Sequence, residues 1–156
     1  VDMFKSSHKL YYWGLATYEK SFSLKVDNRF QIGAGIGYSL LSKPTASLVL
    51  SDGLLYETSS LSKADLRGIT DYETIRNSFR IKFRFLIKDL IKIEGSDFLQ
   101  NSLSDGDDYI IKSNTSVSVK IYKWLNLAMV LNYNRQNITA TENLLVTYGL
   151  TFDRYF

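Results

Sequence analysis

The sequence contains no cysteine, a single proline and a single histidine among its 156 residues. Without cysteine, the chain has no disulfide scaffold, no thiolate metal cluster and no cysteine nucleophile. The one histidine, His8, excludes a multi-histidine metal site and leaves a Ser–His–acid triad with only one possible base. These absences argue against an enzyme, and the sequence predicts no catalytic residue and no cofactor.

The sequence also lacks a long apolar run and a block of like charge. No segment reaches the about 18 consecutive apolar residues of a transmembrane helix. The formal charge is +3, from 19 basic and 16 acidic residues that are mixed along the chain. This mixture favours an ordinary charged surface, and we expect no nucleic-acid partner. The length fits a single domain over residues 1–156, and the start at Val1 suggests a processed or trimmed product.

The strongest signal in the sequence is alternation of apolar and polar residues with a period of two. Such alternation predicts β-strands, because successive side chains of a strand point to opposite faces. The segment 75–85 shows it most clearly. Its apolar row holds Ile75, Phe79, Ile81, Phe83 and Phe85. Its polar row holds Arg76, Ser78, Arg80, Lys82 and Arg84.

Segments of this kind recur along the whole chain. They are longer than the ~5–6 residues usual for strands of soluble proteins, and they reach the ~9–11 residues that a tilted strand needs to cross a bilayer. An even number of long alternating strands is typical of a closed transmembrane barrel. The predicted strands are 10–22, 28–41, 45–58, 73–86, 89–99, 108–122, 124–136 and 142–156.

The connections between these segments alternate in length. The tight connections are 42–44, 87–88 and 123. The longer, polar connections are 59–72, 100–107 and 137–141. Outer-membrane barrels have short periplasmic turns and longer outer loops. The sequence therefore predicts an all-β fold, an eight-stranded antiparallel up-and-down transmembrane β-barrel with residues 1–9 as a periplasmic lead-in. If strands are missing before Val1, the barrel has more than eight.

Aromatic residues make up 14 % of the chain. Those near strand ends are expected in the two aromatic girdles of a membrane barrel. They are Tyr11, Tyr12, Trp13, Tyr38, Trp124, Tyr133, Tyr148, Tyr155 and Phe156. The end of the chain, with Phe152, Tyr155 and a terminal Phe156, is similar to the signal by which barrel-assembly machinery recognises its clients. That machinery is therefore a predicted partner during insertion.

Several short motifs follow one another in a distinctive order. They are Gly33-Ala34-Gly35-Ile36-Gly37-Tyr38, Ser51-Asp52-Gly53-Leu54-Leu55-Tyr56-Glu57, Arg76-Asn77-Ser78-Phe79-Arg80, Asp105-Gly106-Asp107-Asp108-Tyr109 and the aromatic C-terminus. Together they resemble the salt-induced outer-membrane protein family of unknown function, over about residues 10–156. The resemblance implies a barrel in the outer membrane of a Gram-negative bacterium and carries over no catalytic residue. Before the Asp–Tyr pair, the Tyr–Gln–Pro-like element usual in that family is replaced by residues 97–101.

The polar row of segment 75–85 is the densest candidate site. Like charges spaced about 7 Å apart along a strand need counter-charges when side chains fill the interior of a small barrel. The predicted basic members are Arg76, Arg80, Lys82 and Arg84. The predicted acidic members are Glu57, Glu94 and Asp153, with Glu19 if the first strand has the matching phase. We expect an interior ion-pair network, because eight strands leave no aqueous channel; the alternative is a lumen that attracts anions.

Two further residue groups have a competing functional interpretation. Asp105, Asp107 and Asp108 are candidate Ca²⁺ ligands, but an Asp-Gly hairpin turn explains them without metal, and we predict no metal site. Gly33, Gly35 and Gly37 share the polar row of one strand and have no helix after them, so they do not form a phosphate loop. We expect these glycines to make room for a bulky neighbour such as an arginine from a facing strand.

These observations favour a non-enzymatic integral outer-membrane barrel, either a structural protein of the envelope or an accessory subunit of a larger complex. Its expected partners are outer-membrane lipid and lipopolysaccharide and, if it is a subunit, other outer-membrane proteins. The alternative is a soluble lipocalin-like barrel that binds a small apolar ligand, with its apolar rows turned inward. A lipid-modifying enzyme has little support, because His8 would lie on the periplasmic side.

Overall fold

The computed structural model describes residues 9–152, and these residues form one antiparallel sheet of eight strands. Within this range, no helix is long and apolar enough to cross a membrane. The strands are β1 (Leu10–Ser21), β2 (Val26–Lys43), β3 (Ala46–Leu61), β4 (Asp71–Ile87), β5 (Ile91–Ser102), β6 (Tyr109–Tyr122), β7 (Leu125–Gln136) and β8 (Thr141–Phe152).

The predicted strands and the observed strands agree in number and order. Each strand pairs with the next one along the chain, so the topology is up-and-down throughout. The middle strands are lengthened most, as in β2, which the sequence predicts over 28–41 and which runs from Val26 to Lys43. This lengthening follows from hydrogen bonding beyond the apolar stretch, because backbone pairing does not require an apolar side chain.

The predicted closure of the sheet into a barrel is not observed. In residues 9–152, β1 and β8 are the two edges of the sheet, and no hydrogen-bonded ladder joins them. Alternation along a strand predicts which side chains lie on each face of the sheet. It does not predict whether the first strand pairs with the last. The observed fold is therefore an open eight-stranded antiparallel meander.

Although open, the sheet is strongly curled. Five steps separate β2 from β7, which in a flat sheet would place them about 24 Å apart. Yet Arg29 on β2 donates a 2.8 Å hydrogen bond to the side-chain oxygen of Gln136 on β7. Glu19 on β1 likewise forms a 2.8 Å ion pair with Lys112 on β6, again five strands away. The sheet therefore has a concave face on which these side chains meet, and a convex face opposite.

The two ends of the curled sheet differ. At one end, here called the turn end, strands are joined by the tight connections 44–45, 88–90 and 123–124. At the other, the loop end, the connections are 22–25, 62–70, 103–108 and 137–140. Every connection at the loop end is longer than every one at the turn end. The small apolar core lies at the loop end, where Leu24, Val26 and Leu61 pack with Tyr72.

The concave and convex faces divide the side chains by polarity. The sheet register places the alternate residues that face Arg29 and Gln136 on the concave face, and these are mostly polar. The convex face carries the apolar rows, which are exposed. Its exposed large residues on the strands include Leu54, Ile75, Leu144, Tyr148, Leu150 and Phe152.

Candidate functional site

The concave face at the loop end holds a buried ion-pair network of four residues: Arg29, Glu57, Arg76 and Asp108. Arg76 Nε lies 2.7 Å from Glu57 Oε2, and Arg76 Nη2 lies 2.8 Å from Asp108 Oδ2. Arg29 Nε approaches Glu57 Oε1 at 3.2 Å. The side chains of all four residues are at most 1 % exposed. Two cations and two carboxylates therefore neutralise one another out of contact with solvent.

Glu57 is the centre of this network. Besides the two arginines, its carboxylate accepts hydrogen bonds from Ser59 Oγ at 2.8 Å and from Tyr72 Oη at 2.9 Å. The side-chain amide of Gln31, the register partner of Glu57 on β2, donates a further bond. A buried carboxylate is stable when its lone pairs are filled in this way. The alternation of β2, β3 and β4 brings these groups to one face.

Asp108 belongs to the β5–β6 connection rather than to a strand. Burial raises the pKa of the Asp108 carboxyl, and the charge and hydrogen bond of Arg76 only partly offset that effect. The backbone carbonyl of Asp108 also accepts a 3.2 Å hydrogen bond from Arg76 Nη1. Arg76 therefore fixes this connection against the interior of the sheet.

The loops at the loop end are also joined to one another. Arg67 on the β3–β4 loop pairs with Asp65 at 2.7 Å and with Asp105 on the β5–β6 loop at 2.9 Å. Burial alone would raise the pKa of Asp65, but hydrogen bonds from the Ile69 amide and from Arg67 outweigh it and hold that pKa below its usual value. The Leu66 amide donates to the Ile138 carbonyl at 3.0 Å. These contacts between loops therefore cover the buried network at the loop end.

A cavity of about 300 Å³, here called the interior cavity, lies on the turn side of the network. Its lining combines charged, polar and apolar side chains from β1 to β6. The lining includes Trp13, Leu15, Glu19, Arg80, Phe98 and Lys112.

The structure brings some of the predicted network residues together and separates others. Arg76 and Glu57 are in direct contact, and Glu19 has the phase needed to join Arg29 at 3.5 Å. Arg80 has no carboxylate within ion-pair distance in residues 9–152. It donates instead to Ser51 Oγ at 3.1 Å and to Tyr11 Oη at 3.3 Å.

The remaining predicted members lie outside the network. Lys82 and Arg84 are exposed near the turn end, and within the described range neither is ion-paired. Glu94 forms its ion pair with Lys92 at 2.8 Å, and both side chains are about 40 % exposed. The basic side chains of β4 are thus buried and ion-paired near the loop end and exposed to solvent near the turn end. At the turn end, hydration takes the place of a counter-charge. Asp153 lies outside the described residues.

The three candidate calcium ligands point in different directions. Asp105 is held by Arg67, Asp108 turns inward to Arg76, and Asp107 donates its backbone amide to Asp105 Oδ1 at 3.0 Å. Across residues 9–152, no three histidine, aspartate or glutamate side chains are grouped so that they could hold a metal ion. Two of these three carboxylates are therefore engaged by arginines.

Sequence reasoning missed several members of the site. Arg29 lies on the same row of β2 as Gln31 and Gly33, and that alternation was a usable signal. Lys112 lies on the polar row of β6, but that row does not indicate which acidic residue it pairs with. Asp108 gave no such signal, because a connection has no alternating phase. These partners come from strands far apart in sequence, such as β1 and β6.

The bulky neighbours of Gly35 and Gly37 are aromatic residues of β1, and that of Gly33 is Leu55 on β3, so the expected bulky neighbours are present but none is an arginine. A Cβ atom on Gly35 would lie 2.5 Å from the Trp13 ring, and one on Gly37 would meet the Tyr11 ring. Trp13 and Tyr11 therefore lie on the concave face rather than in a girdle. Their register partners on β2 are the two glycines, Gly35 and Gly37.

The convex face keeps the other aromatic residues that the structure describes at strand ends. Tyr12, Tyr38, Trp124 and Tyr148 are exposed there. Phe152 is 65 % exposed, and its ring stacks on Trp124 with centroids 6.0 Å apart. Tyr155, Phe156 and His8 lie outside the described residues, so their predicted roles stay predictions.

The fold is all-β: a single curled antiparallel meander. Its concave face is charged and buried, and its convex face is apolar and exposed, which is the reverse of the usual arrangement in a soluble protein. The chain belongs to the family described as "Protein of unknown function, DUF481", whose model matches residues 2–152. No curated protein and no solved structure matches the chain. The expectation of a family of unknown function is thus confirmed, while the salt-induced outer-membrane identity stays a prediction.

Proposed function

We propose that this chain forms the wall of a bacterial outer-membrane β-barrel, with its convex face against lipid and its concave face inside. The observation that carries the proposal is the inverted distribution of side chains. Arg76 is 0 % exposed and Arg29 is 1 % exposed, whereas Tyr148 is 71 % and Leu150 is 57 % exposed. In water, such an arrangement would leave a large apolar surface solvated, which soluble monomers avoid.

The geometry of the strands also supports a membrane location. The shortest strands have 12 residues, which exceeds the ~9–11 residues needed to cross the hydrocarbon core with tilt. The long connections gather at one end and the tight turns at the other, as in outer-membrane barrels. Because open sheet edges do not occur in lipid, the proposal requires the edges of β1 and β8 to be paired in the membrane.

The proposed role is structural or accessory rather than catalytic. The network at the loop end consists of ion pairs whose groups are saturated by one another, which suits a rigid plug. The partners proposed are lipopolysaccharide, the barrel-assembly machinery and, for an accessory subunit, other outer-membrane proteins. The resemblance to salt-induced outer-membrane proteins is part of the same proposal.

Two adjacent residues of β7 provide a matched test of which face meets lipid. Leu131 belongs to the convex face and Val130 to the concave face, and both are partly buried. An arginine on a lipid-facing position near the midplane costs roughly 2–4 kcal/mol. We therefore expect Leu131→Arg to reduce folding into phosphatidylcholine vesicles strongly, and Val130→Arg to leave it nearly unchanged. The readout is the electrophoretic shift of unboiled sample together with protease resistance.

The opposite ranking would support the competing function, a soluble lipocalin-like binder. Such a protein keeps apolar rows inside, so that an arginine at Val130 would disrupt it and one at Leu131 would be harmless. Equal tolerance of both substitutions in vesicles would also contradict the membrane proposal.

A further inference from the structure

The interior cavity is separated from the loop end by the buried network, and its charges do not balance. The network contributes two arginines and two carboxylates, which cancel. In the cavity, Lys112 pairs with Glu19 at 2.8 Å, and these two charges also cancel. Arg80 is the remaining charged group of the lining, so the described residues give the cavity a net charge of +1.

Arg80 is held in place without being neutralised. Its Nε donates to Ser51 Oγ and its Nη2 to Tyr11 Oη, while its guanidinium carbon lies 5.7 Å from the centroid of the Phe98 ring. Hydroxyl groups and an aromatic face orient a guanidinium but carry no negative charge. A cation in a partly enclosed site favours an anion as its partner. The fork of an arginine suits the two oxygens of a carboxylate.

Beside polar side chains such as Gln31 and Gln100, the cavity has an apolar surface. Trp13 and Phe98 present ring surfaces, and Leu15 adds an aliphatic one. A volume of about 300 Å³ is at the small end of ligand pockets and suits a ring-sized molecule rather than a lipid chain. An inorganic anion would satisfy Arg80 but would leave the aromatic surface without a partner.

We propose that the interior cavity binds a small aromatic carboxylate, with the carboxylate on Arg80 and the ring against Trp13 and Phe98. This proposal is independent of where the protein resides, since it rests only on the concave face. It assigns a ligand to the Arg80 part of the polar row, whereas Arg76 serves the sealed network.

Trp13 provides a reporter inside the cavity, because the chain has only one other tryptophan, Trp124, which is exposed. The experiment uses the full chain carrying Trp124→Phe in mild detergent, with 2-naphthoate as the probe and 2-naphthalenemethanol as its uncharged counterpart. We expect 2-naphthoate to change Trp13 fluorescence saturably and to bind at least about tenfold more tightly than the alcohol, as a charge-assisted hydrogen bond would provide.

Substitutions of arginines on one strand complete the test. Arg80→Gln should lose at least about tenfold in affinity for 2-naphthoate and little for the alcohol. Arg84→Gln, on the same row but outside the cavity lining, should bind 2-naphthoate like the parent chain. The affinity of Arg80→Lys should fall between those of the parent chain and Arg80→Gln.

Circular dichroism checks that each variant is folded. If Arg80→Gln does not fold, the comparison of the two probes on the parent chain decides whether the proposal holds. Equal affinity for the two probes, or displacement of 2-naphthoate by chloride at equal concentration, would overturn the proposal. Vesicle insertion is a separate readout, so the two proposals can fail independently.

Discussion

At the scale of single residues, Glu57 holds the interior of the molecule together. It is 0 % exposed and lies between two arginines that are themselves buried. A buried ion pair is weak evidence of net stabilisation, because desolvation offsets most of the attraction. Breaking such a pair is different, since it leaves an uncompensated charge in the interior. The contribution of Glu57 is therefore best measured by removing its charge alone.

We predict that Glu57→Gln lowers the free energy of unfolding by about 3–5 kcal/mol, because Arg29 loses its nearest carboxylate and Arg76 keeps only Asp108. The measurement is urea-induced unfolding in detergent, followed by tryptophan fluorescence. The control is Glu94→Gln, whose ion pair with Lys92 is exposed and is worth about 0–1 kcal/mol. Equal losses for the two variants would show that burial of Glu57 does not matter.

At the scale of elements, β1 packs against β2 and β3 where two glycines leave room for a large ring. The Trp13 ring lies over Gly35 on β2 and Gly53 on β3, which are register partners. A Cβ atom on Gly35 would be 2.5 Å from Trp13 and 2.7 Å from the Gly53 backbone, and would also meet the Asp52 carbonyl. Because two of these three contacts are backbone, rotation of the tryptophan alone does not relieve them.

Gly35→Ala is therefore expected to destabilise the chain by about 1–3 kcal/mol, as overpacking in a filled interior does. Gly149→Ala on β8 is the matched control, since a Cβ atom there would meet nothing within 4 Å. It should be neutral or slightly stabilising, because alanine reduces the conformational freedom of the unfolded chain. The measurement is the midpoint of urea unfolding. A neutral Gly35→Ala variant would mean that β1 does not pack against β2 as described.

At the scale of the whole molecule, the curl is made by side chains that reach across the concave face. The contact between Glu19 and Lys112 and that between Arg29 and Gln136 each span five strands. Neither depends on pairing between β1 and β8. The sheet can therefore hold its curvature while both edges stay open.

The curl can be tested with cysteines, which the sequence lacks. We expect a Glu19→Cys, Lys112→Cys double variant to be crosslinked within the chain by a short bifunctional maleimide. A flat sheet would place β1 and β6 about 24 Å apart, beyond the reach of such a reagent. The pair Tyr18→Cys, Ile111→Cys uses the same strands on the convex face and should not react. Crosslinking of both pairs, or of neither, would contradict the curled geometry; the readout is intact mass together with electrophoretic mobility.

The number and order of the strands, and the side of each strand that is polar, could be predicted from the sequence. Alternation with a period of two is a local property, and short connections leave antiparallel neighbours as the only arrangement for adjacent strands. The row of Arg76 and Arg80 and the opposite row of Ile81 and Phe83 were therefore identified correctly. The agreement of strand boundaries, mostly within two or three residues, has the same local cause.

The site was only partly predictable, because its contacts join distant strands. Arg76 and Glu57 lie on neighbouring strands and could be paired from the pattern. The sequence pattern could not predict the contact of Arg29 with Gln136 or that of Lys112 with Glu19. The distance between the partners depends on how far the sheet curls. The sequence predicts a turn at Asp108, and only the position of Asp108 beside Arg76 reveals a buried ion pair.

The sequence by itself thus determined an all-β chain of eight antiparallel strands with one polar and one apolar face. The tertiary structure decided that the polar face is concave, that Tyr11 and Trp13 lie inside over glycines, and that the edges of residues 9–152 are unpaired. The physical reason is the distance along the chain over which each property is set. Alternation sets the face of each side chain within a few residues. Curvature and closure depend on the summed twist of eight strands and on contacts such as that between Glu19 and Lys112, 93 residues apart.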